Sequence, residues 1–162
     1  MTMGASPLFF IGTSGWTYDH WKGCFYPADL AKSRWFDFYT TQFNAVEVNA
    51  TFYRAFSDTT YVKWKERAPR GFGYVLKAPK DITHRKLLRD VEGDIQAFCR
   101  SGALLGDAFE MILLQVAPNL PYDHGLLRAA LQSFTDPGRV AVEFRNEHWN
   151  NPETEALLSS LG

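Results

Sequence analysis

The chain has 162 residues, of which 46% are hydrophobic and 15% aromatic, so its composition excludes a disordered chain and supplies a globular core. Its 17 basic and 18 acidic residues are well mixed and give a formal net charge of −1, which argues against a nucleic-acid-binding surface. Two distant cysteines, Cys24 and Cys99, do not suit a disulfide framework or a structural zinc site, and no apolar run approaches membrane-spanning length. We therefore expect a cytoplasmic protein that binds neither nucleic acid nor a membrane.

Short apolar runs alternate with amphipathic stretches along the chain. Residues 1–7 are expected to form a flexible leader, and residues 8–162 a single domain. Five strands are predicted, at "LFFIGTSG", "NAVEVNATF", "GYVLKAP", "FEMILLQVAP" and "RVAVEFR". Helices are predicted between and after them, at "SRWFDFYTTQF", "SDTTYVKWKERA", residues 91–105, "HGLLRAALQSF" and "NPETEALLSSLG". A polar loop that runs through His84 follows the third strand.

This alternation predicts an α/β fold with a parallel sheet and right-handed crossovers. Two architectures remain open, a doubly wound sheet and a TIM barrel of eight βα units. The first strand–helix turn, "GTSGWTYDHWKGCF", lacks the G-x-G-x-x-G pattern of dinucleotide-binding sheets. Eight units need about 250 residues, whereas five are recognisable here. We predict a TIM-barrel-like (β/α) repeat truncated to about five of eight units, and therefore expect the chain to be a fragment.

Polar side chains stand near the carboxyl ends of the predicted strands. In chain order they are Ser14, Glu47 with Asn49, Lys77, Gln115, and Glu143 with Arg145. Because residues two apart share a face of a strand, each set points to one side of the sheet. The carboxyl ends of parallel strands carry the active site in barrels and open α/β sheets alike, which favours a common polar site. The alternative is that these charges, which sum to zero, pair with one another inside the structure.

Five segments together resemble the YecE-like proteins, which contain domain of unknown function 72. They are "IGTSGWTYDHWKGCFYP", "FNAVEVNATFYR", "YVLKAPKDITH", "LLQVAPN" and "AVEFRNEHW". The resemblance implies a TIM-barrel-like fold, and it implies no settled activity. Members of that family are typically longer. The matching positions are Gly12, Ser14, Gly15, Trp16, Glu47, Asn49, Phe52, Tyr53, Lys77, Pro79, Gln115, Pro118, Glu143, Arg145 and Trp149.

Four residues are the candidates for catalysis: Glu47, Lys77, Glu143 and Arg145. The guanidinium of Arg145 suits a carboxylate or phosphate, or it serves as a structural partner of a glutamate. Glu47 and Glu143 suit proton transfer if their environments separate their pKa values, as in a glycosidase. Lys77 is expected to act as an electrostatic stabiliser or, if desolvated, as an imine-forming amine; the alternative is an ordinary ion pair.

Six residues are the candidates for substrate binding: Ser14, Trp16, Asn49, Tyr53, Gln115 and Trp149. The amides of Asn49 and Gln115 either orient a substrate or satisfy polar groups in the core. The aromatic first loop, which contains Trp16, either stacks on a sugar or base or forms a hydrophobic lid.

A divalent metal would need Glu47 and Glu143 with His84 or His148, but no histidine lies in a recognised metal-binding spacing. We therefore predict no metal ligands and leave the cofactor open.

The leading functional hypothesis is an uncharacterised protein with a polar strand-end pocket, an acid–base enzyme acting on a small anionic or sugar-like molecule. The alternative is a non-catalytic truncated barrel that acts as a structural or interaction module and self-associates through its open sheet edges.

Overall fold

The computed structural model describes residues 9–162, so the predicted leader, residues 1–7, lies outside the described residues. Five strands form one sheet: β1 Gly12–Ser14, β2 Ala45–Val48, β3 Gly73–Lys77, β4 Phe109–Gln115 and β5 Val140–Glu143. The α-helices are α1 Trp35–Gln42, α2 Ala50–Tyr53, α3 Asp58–Arg67, α4 Glu92–Ala103, α5 His124–Gln132 and α6 Pro152–Leu161. None of the helices in residues 9–162 is long and apolar enough to cross a membrane.

All neighbouring strands are parallel, and their order in the sheet is β1-β2-β3-β4-β5. A doubly wound sheet reverses its strand order at the point where its two halves meet. The order of the five described strands contains no such reversal. The predicted α/β fold with a parallel sheet is therefore confirmed, and its sequential order is consistent with a TIM-barrel-like fold.

The two faces of the sheet differ sharply in exposure. One face carries buried apolar side chains, and the core helices pack against it; for example, the ring of Phe36 on α1 stacks on Tyr74 of β3. The opposite face carries Glu47, Lys77 and Glu143, all of which are partly exposed. Within residues 9–162 the helices thus cover one face, and the charged strand ends stand on the more open one. The strands are therefore buried on one side only, although their apolar residues alone would suit burial on both sides.

Close approach of β1 to β2 requires Gly12. A Cβ atom at this position would overlap the backbone carbonyl of Ala45. The hydroxyl of Tyr39 bridges the same two strands, since it accepts from the Thr13 N–H at 2.9 Å and donates to the Ala45 carbonyl at 2.9 Å. The Tyr39 ring is fully buried, and burial raises the pKa of its hydroxyl. The first strand is therefore held by a buried tyrosine of α1.

The end of the second strand departs from the prediction. The strand was expected to continue to Phe52, with Asn49 and Thr51 on the same face as Glu47. Instead β2 ends at Val48, Asn49 has helical backbone angles, and the short helix α2 begins at Ala50. The Thr51 hydroxyl explains the turn, because it lies 2.8 Å from the Val48 carbonyl and 2.7 Å from the Lys77 carbonyl. A local side-chain hydrogen bond thus replaces continuation of the strand.

Two further segments differ from the sequence expectation. Arg145 lies beyond the end of β5, so it is not part of that strand. The predicted polar loop after β3 contains a π-helical turn, Asp81–Arg85, and Leu87, Leu88 and Asp90 follow it with positive φ angles. Single π-helical turns and non-glycine residues with positive φ are uncommon in proteins as a whole, and those that occur are often near functional sites.

Candidate functional site

Glu143 is the centre of a hydrogen-bonded group at the carboxyl end of the sheet. The strand register places it directly opposite Gln115 on β4, and the Gln115 side chain donates to Oε2 at 2.7 Å. Arg145 donates from Nε to the other oxygen, Oε1, at 2.8 Å. Burial alone would raise the pKa of Glu143, but these two bonds and the nearby Lys77 charge hold that pKa below its usual range. Glu143 is therefore a carboxylate at neutral pH, fixed by a donor on each oxygen.

Arg145 has room to bind a second partner. Its Nε donates to Glu143, and the hydrogen bonds among residues 9–162 leave the two terminal nitrogens of its guanidinium for another acceptor. The Arg145 side chain is 52% exposed and that of Glu143 is 38% exposed. An ion pair this exposed contributes at most about 1 kcal/mol to stability. The pair therefore adds little to the fold, although it is the pairing with a glutamate that was expected as the alternative for Arg145.

Lys77 and His84 complete this group on the side of β3. The Lys77 amine lies 5.0 Å from the centre of the Phe52 ring, and the His84 imidazole meets the same ring edge-on at 5.1 Å. His84 Nδ1 is 2.8 Å from the Thr83 hydroxyl. Burial is the largest cause that lowers the pKa of His84, and the charges of Lys77 and Arg145 lower it further. The imidazole is therefore neutral at pH 7, near the side chains of Lys77 and Arg145.

Ser14 and Glu47 form a second pair on the same face of the sheet. The Ser14 hydroxyl donates to Glu47 Oε1 at 2.8 Å, and the register places the two residues opposite each other on β1 and β2. Strands β3 and β4 lie between Glu47 and Glu143. The structure thus has two hydrogen-bonded polar groups on one face, with a glutamate in each.

The remaining predicted substrate-binding residues lie elsewhere. Trp16 and Asn49 line a cavity of about 360 Å³ beside the first two strands, and Tyr53 lines another of about 270 Å³. Trp149 is 1% exposed and stacks on Phe144 in the core. The ring of Trp149 is thus used in packing, and its role in substrate binding stays a prediction.

His84 and Phe52 were not among the predicted site residues. His84 was considered only as a metal ligand, and Phe52 only as a position shared with the similar family. The available signal was the position of His84 in the polar loop directly after β3, since such loops form the rim of a strand-end site. The π-helical turn that directs its side chain towards Phe52 has no clear sequence pattern.

Residues 9–162 contain no group of three or more histidine, cysteine, aspartate or glutamate side chains that could hold a metal ion. The sets considered from the sequence, Glu47 and Glu143 with His84 or His148, therefore do not assemble in the described part of the chain.

Comparison with known proteins gives consistent results. The family model described as "Protein of unknown function DUF72" matches residues 10–162. UPF0759 protein YunF of Bacillus subtilis is 27% identical over 158 residues, which cover 90% of this chain and 53% of that protein. The crystal structure of a DUF72 family protein from Thermotoga maritima superimposes with a TM-score of 0.81 at 29% identity, over 94% of this chain and 62% of that one. A DUF72 family protein from Enterococcus faecalis, 20% identical, has the same fold, with a TM-score of 0.64 over 80% of this chain and 55% of its own. The chain therefore spans between half and two thirds of the length of these proteins.

Proposed function

Because this chain belongs to the DUF72 family of proteins of unknown function, which includes the YecE-like proteins, we propose a function from its own side chains. The open sheet face binds a small polar molecule that carries an anionic group, and the anion sits between Arg145 and Lys77. The observation that carries this proposal is the guanidinium of Arg145, which Glu143 fixes through Nε while its terminal nitrogens remain for a ligand.

The charges around Arg145 support an anion as the bound group. The charges of Lys77 and Arg145 both lower the pKa of His84, so both side chains lie close enough to act on the same imidazole. Glu143 neutralises part of this charge and, through its bond to Nε, limits the orientations of the guanidinium. Bidentate contacts from arginine are the usual way to recognise carboxylate and phosphate groups.

The pair of Ser14 and Glu47 supports a hydroxyl-bearing part of the same molecule. A serine hydroxyl and a carboxylate are suited to hydrogen bonds with the hydroxyls of a sugar-like compound. Glu47 is then the candidate proton-transfer group, because both oxygens of Glu143 already accept hydrogen bonds. His84 is a second candidate base, since a neutral imidazole can accept a proton at pH 7. We propose acid–base chemistry on this molecule as the activity.

The finer fold assignment is also part of this proposal. Five parallel strands in sequential order, with the polar residues at one end, match five consecutive units of a TIM barrel. The length of the relatives supports three further units in a full-length protein. In that arrangement the open face of this sheet becomes the interior of the barrel, and the polar group lines its mouth.

Binding of inorganic phosphate, measured by isothermal titration calorimetry, tests the anion site. We expect Arg145→Gln to weaken binding about 10- to 100-fold, because a hydrogen bond to a charged group contributes about 1.5–3 kcal/mol. Arg100→Gln, which removes an exposed arginine of α4, is the matched control and should bind as the unaltered protein does. Equal affinity of the Arg145 and Arg100 variants would refute the assignment.

A second candidate function is an interaction module, which the sheet edges favour. Strands β1 and β5 are the two edge strands of the described sheet. Phe9, Phe10 and Ile11, just before β1, are exposed. Unpaired parallel edges next to exposed apolar side chains are ready to pair with another chain. In this alternative the protein self-associates and needs no small-molecule ligand.

A further inference from the structure

A second cavity lies beside the pair of Ser14 and Glu47, at strands β1 and β2. Its volume is about 360 Å³, within the range of small-molecule pockets. Aromatic side chains supply much of its wall: Trp16, Tyr18, Phe56 and Trp64. Two of these rings are fixed by neighbours, since Phe56 packs against Trp64 at 5.1 Å and the Arg54 guanidinium lies 4.6 Å from the Phe56 ring centre.

Asn49 lines the same cavity and has an unsatisfied acceptor. Its Oδ1 atom is buried and has no hydrogen-bond partner among the described residues. The side chain does not cap α2, although Asn49 occupies the N-cap position of that helix. An unpartnered buried carbonyl destabilises the fold, so a native protein normally gives it a partner.

We propose that this cavity binds a planar, amino-substituted nitrogen heterocycle of the nucleobase class. The aromatic walls supply stacking, which favours any base because every base has a π face. A ligand amino group donates to Asn49 Oδ1 and so gives that oxygen the partner it lacks. Oδ1 is buried in the structure, and a half-turn about the soft χ2 torsion of asparagine brings it to the cavity in exchange for the amide nitrogen.

This site is distinct from the proposed anion site. None of the side chains assigned to the anion, Lys77, Glu143 and Arg145, lines the aromatic cavity. The aromatic cavity adjoins the pair of Ser14 and Glu47 instead, since the Tyr18 hydroxyl donates to the carbonyl of Ser14. One molecule with a base and an anionic group would need to span both sites, whereas binding in the aromatic cavity requires only the base.

Two matched compounds test the inference. The compound 9-methyladenine has an amino group, whereas 9-methylpurine has the same rings and no N–H donor. We expect 9-methyladenine to bind with one-to-one stoichiometry and to change the fluorescence of Trp16 and Trp64. We expect 9-methylpurine to bind at least tenfold more weakly. Equal binding of the two compounds, or no binding of either, would overturn the proposal.

Asn49→Ala provides the matching change in the protein. The variant should lose the preference for 9-methyladenine while its free energy of unfolding stays the same or rises, because the removed carbonyl has no partner to lose. Gln96→Ala removes an exposed amide of α4 and should leave binding unchanged. An undiminished preference in the Asn49 variant would contradict the inference. Trp64→Phe, which keeps a ring in the wall, should retain weaker binding.

The outcome is independent of the proposed function. Arg145→Gln is expected to lose phosphate and to keep its affinity for 9-methyladenine, whereas Asn49→Ala should show the reverse. Failure of one titration with success of the other therefore identifies which of the two assignments is wrong.

Discussion

The proposed function depends on individual side chains at the carboxyl end of the sheet. Glu143 accepts hydrogen bonds on both oxygens, and Arg145 keeps donors free for a ligand. Neither contact is needed to hold the strands together, because the sheet is already paired through its backbone. Ionic groups that contribute little to stability and stand together at a strand end are best explained by the binding of something else.

His84 gives a prediction that depends on pH. Its pKa lies below the unfolded value of 6.5, so the unfolded chain binds more protons in the window between the two values. The stability due to the neutral imidazole is therefore present above pH 6.5 and is lost as the pH falls through the folded pKa. We expect the free energy of unfolding to fall less on acidification in His84→Gln than in the unaltered protein. Chemical denaturation at a series of pH values measures this, and parallel curves for the two proteins would contradict it.

An anion beside His84 should reverse the shift. Sulfate keeps a constant charge in this pH range, and when bound between Lys77 and Arg145 it would offset the two cations that lower the His84 pKa. We expect sulfate to raise the pKa of His84, followed by NMR titration of its ring protons and assigned by their loss in His84→Gln. A pKa that is unchanged at saturating sulfate would place the anion elsewhere.

At the residue scale, the sequence was most informative where strand alternation applied. It predicted that Glu47, Lys77 and Glu143 share a face, and the register confirms that placement. It did not indicate that Trp149 is buried, because an aromatic residue after a strand suits both a rim and a core. It also could not assign His84, since the orientation of its ring depends on a π-helical turn.

At the scale of elements, the junction of β2 and α2 is the feature that shapes the site. Periodic apolar residues in "AVEVNATFY" predict a strand through Phe52, yet Thr51 ends it by bonding to backbone carbonyls of two strands. The competing term is a side-chain hydrogen bond to a distant part of the chain, and such a contact leaves no local pattern. The helices from Asp58 onward follow their predicted positions closely, because their apolar spacing alone specifies the buried side. The first strand is shorter than predicted, since only Gly12–Ser14 of "LFFIGTSG" pairs as a strand.

Thr51→Val tests the role of this junction. Thr51 is 2% exposed, and its isosteric replacement leaves the Lys77 carbonyl without its side-chain donor. We expect the free energy of unfolding to fall by about 1–3 kcal/mol. Thr59→Val, at an exposed position in α3, should change it by less than about 0.5 kcal/mol. Denaturant melts measure both, and similar small losses would show that Thr51 does not hold the two strands.

At the scale of the whole molecule, the main feature is the face of the sheet that the described helices leave uncovered. The sequential parallel order agrees with a barrel, and the relatives are longer by a third or more of their length. The parallel sheet and the number of its strands could be predicted from the sequence, since repeated βα units imply a parallel sheet and the units could be counted. The sequence could not show that one face stays uncovered within residues 9–162, because exposure depends on what the sheet is packed against.

The exposed edge beside β1 gives a prediction for the association of the chain with itself. Ile11 is 64% exposed, while its backbone pairs with Asn44 and Ala45. If this edge drives self-association, Ile11→Lys should shift the protein towards the monomer, since a lysine at a sheet edge opposes pairing with another chain. Val62→Lys, at an exposed apolar position on α3, should not. Sedimentation equilibrium of the three proteins decides the matter, and an unchanged mass for Ile11→Lys would exclude this edge.

The central claim is that cationic side chains of different strand ends act on one ligand, and a double-mutant cycle tests it most directly. Phosphate affinity would be measured for the unaltered protein, Lys77→Gln, Arg145→Gln and the double variant. If both groups contact the same anion, each single change weakens binding, and the loss in the double variant differs from the sum of the two by at least about 0.5 kcal/mol. Losses that add to within about 0.3 kcal/mol, or affinities unchanged in both single variants, would contradict the account.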